Sequence, residues 1–190
     1  RAMEYLIQEQ EPCGAWYGRW GCNYLYGTSN VVCGLAYFSE GNDQVQEMVS
    51  DAIKWIKQMQ NADGGWGESL HSYQDLSKAG RGSSSPSQTA WALLALLTEY
   101  SPYDTSITAG VSHLVDTQTD VHDRGSSWPE SAYTGTGFPN HFYIGYSLYR
   151  HYFPMMALGR FIKLSEEALE MTNGNSKGDL SRHDSLISMP

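Results

Sequence analysis

Apolar and polar positions follow two different patterns in successive segments of the chain. Segment 44–60 carries its apolar residues every three or four positions, on one helical face: Val45, Met48, Val49, Ile53, Ile56 and Met59. This spacing predicts an amphipathic helix with one buried side. Segments 29–38, 87–97 and 142–153 are instead apolar or aromatic on nearly every side. Because a helix without a polar face must be surrounded by protein, these segments predict fully buried helices.

The two kinds of segment alternate, and the alternation predicts how the helices are arranged. We expect pairs of one outer and one inner helix, then a last outer helix, at 1–38, 44–98, 104–153 and about 154–171. Outer helices that surround inner ones form an α/α barrel, so the predicted fold class is all-α. The ring is incomplete, so we expect residues 1–171 to be the C-terminal part of a larger barrel domain. The polar, unperiodic residues 172–190 predict a disordered tail.

The predicted connections between helices differ in length. Connections from an outer to an inner helix are long, at about 11–27, 61–85 and 119–139, whereas the return connections are short. All long loops would therefore gather at one rim of the helical ring. Long loops in a compact domain are usually functional, so we expect a working site at this rim. The N-terminal ends of the inner helices would lie there too, and their positive dipole ends disfavour cations.

Composition narrows the classes of partner. The 190-residue chain has a net charge of −9, which argues against nucleic acid as the main partner. Its apolar runs are shorter than the roughly 18 residues that a membrane span requires. The three cysteines include no Cys-x-x-Cys pair, and the six histidines show no metal-ligand spacing. The sequence therefore predicts no metal site.

Three segments share a repeated motif: 5–16, 55–66 and 113–128. Each has a ring residue, an aliphatic residue, a glutamine, a turn that contains glycine, and a tryptophan. The glutamines are Gln10, Gln60 and Gln118, and the tryptophans are Trp16, Trp66 and Trp128. We expect the glutamines to bond backbone groups at helix ends and the tryptophans to stack on those ends. Their predicted role is therefore structural.

This repeat resembles the QW motif of the class II terpene cyclases. Four longer stretches resemble the C-terminal region of the squalene–hopene cyclase family: GRWGCNYLYGT (18–28), NADGGWGE (61–68), PSQTAWALLAL (86–96) and YTGTGFPNHFYIGYSLYRHYFPMMALGRF (133–161). The third repeat departs from the pattern, since it has His113 at the ring position and a turn one residue longer. The family protonates its substrate with an Asp-x-Asp-Asp motif, which this chain lacks. The resemblance therefore places the acid upstream, and we expect no catalytic residue here.

The resemblance implies a reaction and the residues that serve it. The family closes rings in squalene, a linear triterpene, through carbocations, and it needs neither a metal nor an organic cofactor. By resemblance, Phe138 and Phe142 are the cation-stabilising rings. The positions that match residues lining or bracing the family's cavity are Tyr146, Tyr149, Trp20 and Tyr26. Phe142, Tyr146 and Tyr149 are spaced i, i+4 and i+7, so we expect them to share one face of an inner helix.

The resemblance also implies attachment to the cytoplasmic face of a membrane, through the rest of the enzyme. Three alternatives stay open. The first is an oxidosqualene cyclase of the sterol-forming type. The second is the β subunit of a protein prenyltransferase, which would need a zinc site that the cysteine positions do not offer. The third is a non-catalytic fragment that binds lipids. We expect the fragment alone not to convert squalene.

Overall fold

The computed structural model describes residues 1–120 and 125–183, with side chains up to Thr172. Within this part the chain is mostly helical, with six α-helices: α1 (Ala2–Glu9), α2 (Tyr24–Leu35), α3 (Asp43–Gln58), α4 (Pro86–Glu99), α5 (Thr105–Asp116) and α6 (Tyr149–His183). Short 3-10 helices are Ala36–Phe38, Leu70–Tyr73 and Leu76–Lys78. The strands are β1 (Thr119–Asp120), β2 (Ser126–Ser127), β3 (Gly135–Phe138) and β4 (Phe142–Ile144).

Side-chain caps define where three of the helices begin. Asn42, Ser85 and Asp104 precede α3, α4 and α5, and each side chain accepts a hydrogen bond from a backbone N–H in the first turn. Such caps satisfy donors that have no partner within the helix. Pro86 follows its cap at the first helical position, where the missing proline N–H costs nothing.

Helix α4 lies at the centre of the fold, in contact with α2, α3, α5 and α6. Most of its residues are buried, which confirms the prediction of a surrounded helix at 87–97. Helix α3 buries only the face that its periodicity indicated, including Val45, Ile53 and Ile56. The core therefore forms between the one-sided α3 and the apolar α4, as predicted for these two helices. The prediction of a fully buried helix at 29–38 was wrong, because the segment ends in a 3-10 turn that leaves Tyr37 and Phe38 87% and 65% exposed.

The segment 142–153 does not form the predicted inner helix. Its first residues form β4, which pairs with β3 in an antiparallel hairpin that sets Phe142 opposite Phe138. Asn140 in the connecting turn has φ 67°, a left-handed conformation that asparagine tolerates. Strands β1 and β2 form a second hairpin. The all-α prediction was therefore wrong in this region. Strand β3 also pairs with the loop before α2, through a bridge between Gly21 and Gly135.

Helix α6 is continuous where a break was predicted. It contains Pro154 in its second turn, so the expected division into an inner helix and an outer helix at 154–171 was wrong. Because proline has no N–H, Pro154 removes the one hydrogen bond that its position would make to the carbonyl of Arg150 in the first turn. The backbone is helical through His183, although the pattern indicated an irregular tail from 172. The domain boundary at 171 stays a prediction, and residues 184–190 lie outside the described part of the chain.

The three long loops, which follow α1, α3 and α5, are hydrogen-bonded to one another. The Tyr73 hydroxyl donates to the carbonyl oxygen of Gly21 at 2.9 Å, which joins the second loop to the first. The N–H of Cys22 donates to the carbonyl oxygen of Thr134 at 2.9 Å, which joins the first loop to the third. The prediction that the long loops gather at one rim is confirmed.

Candidate functional site

Two glutamines of the repeat make equivalent pairs of hydrogen bonds. The Nε2 of Gln10 donates to the carbonyl of the glycine four residues later and to that of Met48, both at 3.0 Å. The Nε2 of Gln60 donates to the corresponding glycine at 2.8 Å and to Ser106 at 2.9 Å. Each amide thus joins the end of one outer helix to its own turn and to the next outer helix.

All three repeat tryptophans are buried and donate their indole N–H to a helix carbonyl. The pairs are Trp16 with Leu6 (2.8 Å), Trp66 with Ile56 (2.7 Å) and Trp128 with Leu114 (2.7 Å). The backbone N–H of Trp66 also donates to the Thr89 hydroxyl at 3.0 Å, which connects the turn to α4. The backbone N–H of Trp16 donates to the Thr28 hydroxyl of α2 at 2.9 Å in the same way. The first two repeats therefore fasten an outer helix to the inner helix that follows it.

The third repeat retains only part of this geometry. Gln118 is exposed, and the turn that follows it runs partly outside the described residues. His113, at the ring position, hydrogen-bonds through Nδ1 to the carbonyl oxygen of Asp63 at 3.1 Å. The departures seen in the sequence therefore coincide with a different local arrangement.

A buried carboxylate caps the N-terminus of α2. Glu68 is 6% exposed, and it accepts hydrogen bonds from the backbone N–H groups of Asn23 (3.4 Å), Tyr24 (3.1 Å) and Leu25 (2.7 Å). Burial raises the pKa of Glu68, while these three N–H donors act in the opposite direction. The negative charge faces the positive end of the helix dipole.

A second carboxylate caps α4 in the same way. Glu130 Oε1 accepts hydrogen bonds from the backbone N–H of Ser87 at 3.1 Å and from its hydroxyl at 2.6 Å. Burial raises the pKa of Glu130, and the bonds from Ser87 oppose that rise. Helices α2 and α4 thus each have a glutamate at their positive end, Glu68 buried and Glu130 partly buried.

The Phe138 and Phe142 rings form an edge-to-face pair on the β3–β4 hairpin. Their centroids lie 5.7 Å apart, and the side chains are 56% and 49% exposed. A Cβ added to Gly137 would overlap the Phe142 ring, so the glycine makes room for it. The two rings present an open apolar edge and are not wedged between helices.

A group of five rings, here called the aromatic cluster, lies between α2, α4 and the start of α6: Tyr26, Trp91, Tyr146, Tyr149 and Phe153. Tyr146 stacks on Tyr149 with centroids 4.6 Å apart. Trp91 meets Tyr26 at 5.1 Å, Phe153 at 5.4 Å and Tyr149 at 6.0 Å. Trp91 is buried, and its indole N–H has no hydrogen-bond partner among the described residues.

The loop before α2 connects the hairpin to the aromatic cluster. The N–H of Thr136 in β3 donates to the carbonyl of Trp20 at 2.9 Å. The Trp20 side chain is 54% exposed, and the Arg19 guanidinium lies 5.0 Å from its ring centroid. Gly135 leaves space for the ring of Tyr146, since a Cβ there would come within 2.5 Å of it. The glycines of these segments therefore allow backbone and rings to approach closely.

A cavity of about 280 Å³ opens beside the aromatic cluster. Tyr146 lines it together with Glu130, Tyr133 and Arg150. One carboxylate that caps an inner helix and one ring of the cluster therefore border the same space.

The structure brings the six predicted site rings to one end of the molecule, but not in the predicted way. Phe142 lies in β4, Tyr146 in the turn that follows, and Tyr149 at the start of α6, so the single helix face was wrong. Trp91 and Phe153 were missed because an all-apolar helix gives no periodicity that singles out one ring. Glu130 was also missed, although it follows Trp128 by two residues as Glu68 follows Trp66.

Comparison with known proteins places these features in a family. The model of the squalene-hopene cyclase C-terminal domain matches residues 1–163. The chain belongs to this family. It is 52% identical over 161 residues to the squalene–hopene cyclase of Alicyclobacillus acidocaldarius, which covers 85% of this chain and 25% of that protein. It is 46% identical over 185 residues to enfumafungin synthase of Hormonema carpetanum, which covers 90% of this chain and 14% of that protein.

The squalene-hopene cyclase C-terminal domain of this chain also resembles a solved class II cyclase in fold. The ent-copalyl diphosphate synthase from Streptomyces platensis superposes with a TM-score of 0.58 at 20% identity, over 83% of this chain and 27% of that protein. This likeness concerns the fold alone. The chain spans a quarter or less of the length of the two curated relatives named above. In the described part of the chain, none of the helices combines the length and apolar character needed to cross a bilayer.

Proposed function

We propose that this chain is the C-terminal part of a squalene–hopene-type cyclase, which closes rings in squalene through carbocations. In this proposal residues 1–171 continue an α/α barrel whose remaining helices belong to other regions of a longer protein. The protonating acid lies in those regions, because this chain has no Asp-x-Asp-Asp motif. The same regions attach the enzyme to one face of a membrane. The chain's own contribution is an aromatic wall.

The chemistry explains why such a wall consists of aromatic rings. A carbocation needs stabilisation by groups that it does not alkylate, and a ring face attracts a cation through its quadrupole. The attraction amounts to about 2 kcal/mol or more once water is excluded. Rigid rings also hold the substrate in a folded conformation and keep water from quenching the intermediates.

The observation that carries the proposal is the paired, half-exposed rings of Phe138 and Phe142 beside the aromatic cluster. Two large rings left open on a hairpin, near an aromatic cluster built around the buried Trp91, support an apolar ligand at this rim. The side chains of Gln10, Gln60 and the three repeat tryptophans bond helix ends, so we assign them a structural role. Gln118 is exposed, and its structural role rests on the repeat alone.

The test uses the complete protein that contains this chain. It is incubated with squalene and, separately, with oxidosqualene, and the products are identified by gas chromatography and mass spectrometry. We expect cyclic triterpenes from squalene. Phe138→Leu and Phe142→Leu remove one ring face each, so turnover should fall about thirtyfold, or products with fewer rings should accumulate.

The matched control is Phe38→Leu, the same change at an exposed ring far along the chain from the hairpin. It should leave turnover and products unchanged. Cyclic product from oxidosqualene alone would select the sterol-forming branch instead. If the hairpin variants behave like the control, or neither substrate is cyclised, the proposed function is wrong.

A further inference from the structure

Two glutamates, Glu68 buried and Glu130 partly buried, have no part in the aromatic wall, yet both lie at the N-terminal ends of helices that contribute rings to it. Glu68 caps α2 by accepting hydrogen bonds from the N–H groups of Tyr24 and Leu25. These two residues directly precede Tyr26 of the aromatic cluster. Glu130 caps α4 and lines the same cavity as Tyr146. Each carboxylate is held in a fixed position by at least two hydrogen bonds from its helix end.

The charges at this rim would otherwise repel a cation. A helix N-terminus carries about half a positive charge. Tyr26 of the aromatic cluster lies in the first turn of α2, and Trp91 lies in the second turn of α4. The Arg150 guanidinium lines the cavity beside Tyr146 and adds a full positive charge. A cation at the rings would therefore meet positive potential on two sides. One carboxylate at each helix end reverses the sign of the charge there, and the low local dielectric around the buried Glu68 increases its effect.

We propose that Glu68 and Glu130 are positioning residues that offset the positive ends of α2 and α4 and so make the aromatic rim favourable for a cationic, apolar ligand. This inference rests on the proposed function for its biological meaning. Its physical content concerns only the preference for a positive charge at this rim. A neutral residue could satisfy the same N–H groups without supplying charge. Asn42 is such a neutral cap for α3, and Ser85 is one for another N–H group of α4.

The variants Glu68→Gln and Glu130→Gln remove the charge and keep one acceptor oxygen and nearly the same shape. The control is Gln88→Met. Gln88 Nε2 donates to the carbonyl oxygens of Cys22 at 3.1 Å and Glu68 at 3.2 Å, so it joins the loop before α2 to the loop before α4. This control weakens the junction without changing its charge. A purely structural role predicts that all three variants lose activity in proportion to their loss of thermal stability.

The first measurement is turnover of squalene by the complete protein. We expect each glutamate variant to lower kcat about tenfold with little change in KM, which is the signature of weaker transition-state stabilisation. Gln88→Met should melt at a lower temperature but keep its kcat when assayed well below that temperature. If kcat follows melting temperature equally in all three variants, the charge has no function beyond capping and the inference is overturned.

The second measurement does not depend on turnover. The complete protein is titrated with N,N-dimethyldodecylamine, which is charged at neutral pH, and with the uncharged N,N-dimethyldodecanamide. We expect tighter binding of the amine, and a loss of that preference by about tenfold in each glutamate variant. Equal binding of the two compounds by the unaltered protein would overturn the inference. Preference for the amine without cyclisation of squalene would refute the proposed function and leave the inference standing.

Discussion

Replacement of Trp66 by phenylalanine tests the structural role of the repeat. Trp66 is fully buried, and its indole donates to the carbonyl oxygen of Ile56 at 2.7 Å. Losing that bond costs about 1 kcal/mol net. The carbonyl is not left unpaired, because it also accepts the N–H of Met59 at 3.1 Å. The smaller ring leaves a cavity of roughly 40 Å³, which costs about 1 kcal/mol or slightly more.

The expected total is about 2–3 kcal/mol of local stability, lost where α3 meets α4. Hydrogen exchange measured by mass spectrometry on peptides from these two helices should therefore become about 30- to 150-fold faster. This assay reports local opening, so it does not require the complete protein to unfold in one step.

The matched control is Trp20→Phe, the same change at a side chain that is more than half exposed. An exposed substitution of this kind normally changes stability by less than about 0.5 kcal/mol, so exchange in α3 and α4 should stay unchanged. If Trp66→Phe accelerates exchange no more than Trp20→Phe does, the indole does not fasten α3 to α4, and the structural role assigned to the repeat is refuted.

Two further predictions follow from the hairpin and from an ion pair. Gly137→Ala should displace the Phe142 ring, because the added Cβ overlaps it, and so change the product pattern; Gly34→Ala, where a Cβ meets open space, should not. Burial alone would raise the pKa of Asp104, but the bond from Lys57 at 2.8 Å and backbone N–H donors lower it below the ordinary value. Its stabilising contribution is therefore present above pH about 4 and lost as the pH falls through the lower folded pKa, so Asp104→Asn should flatten the acid limb of the unfolding curve.

The helical part of the fold could be predicted because its signals are local. The one-sided periodicity of α3 and the apolar surface of α4 each specify what the helix must bury, whatever its neighbours are. The repeat likewise predicted hydrogen bonds at helix ends, since glutamine and tryptophan each have a donor that must be satisfied on burial.

The hairpin could not be predicted from spacing alone. Phe142, Tyr146 and Tyr149 suit one helix face equally well, and nothing in that spacing excludes a helix. Pro139 and Asn140 are nevertheless a turn signal between two aromatic stretches, and the structure has its turn there. The strand forms because the loop before α2 pairs with it, and that pairing spans more than a hundred residues.

By itself the sequence determined the family, the alternation of outer and inner helices and which rings were candidates for the site. It did so because hydrophobic periodicity and short motifs act over a few residues. Only the tertiary structure decided how those rings are grouped, and which carboxylates face the ends of α2 and α4. Those contacts join residues about 40 to 115 positions apart, where the folded backbone and not the spacing along the chain sets which groups meet.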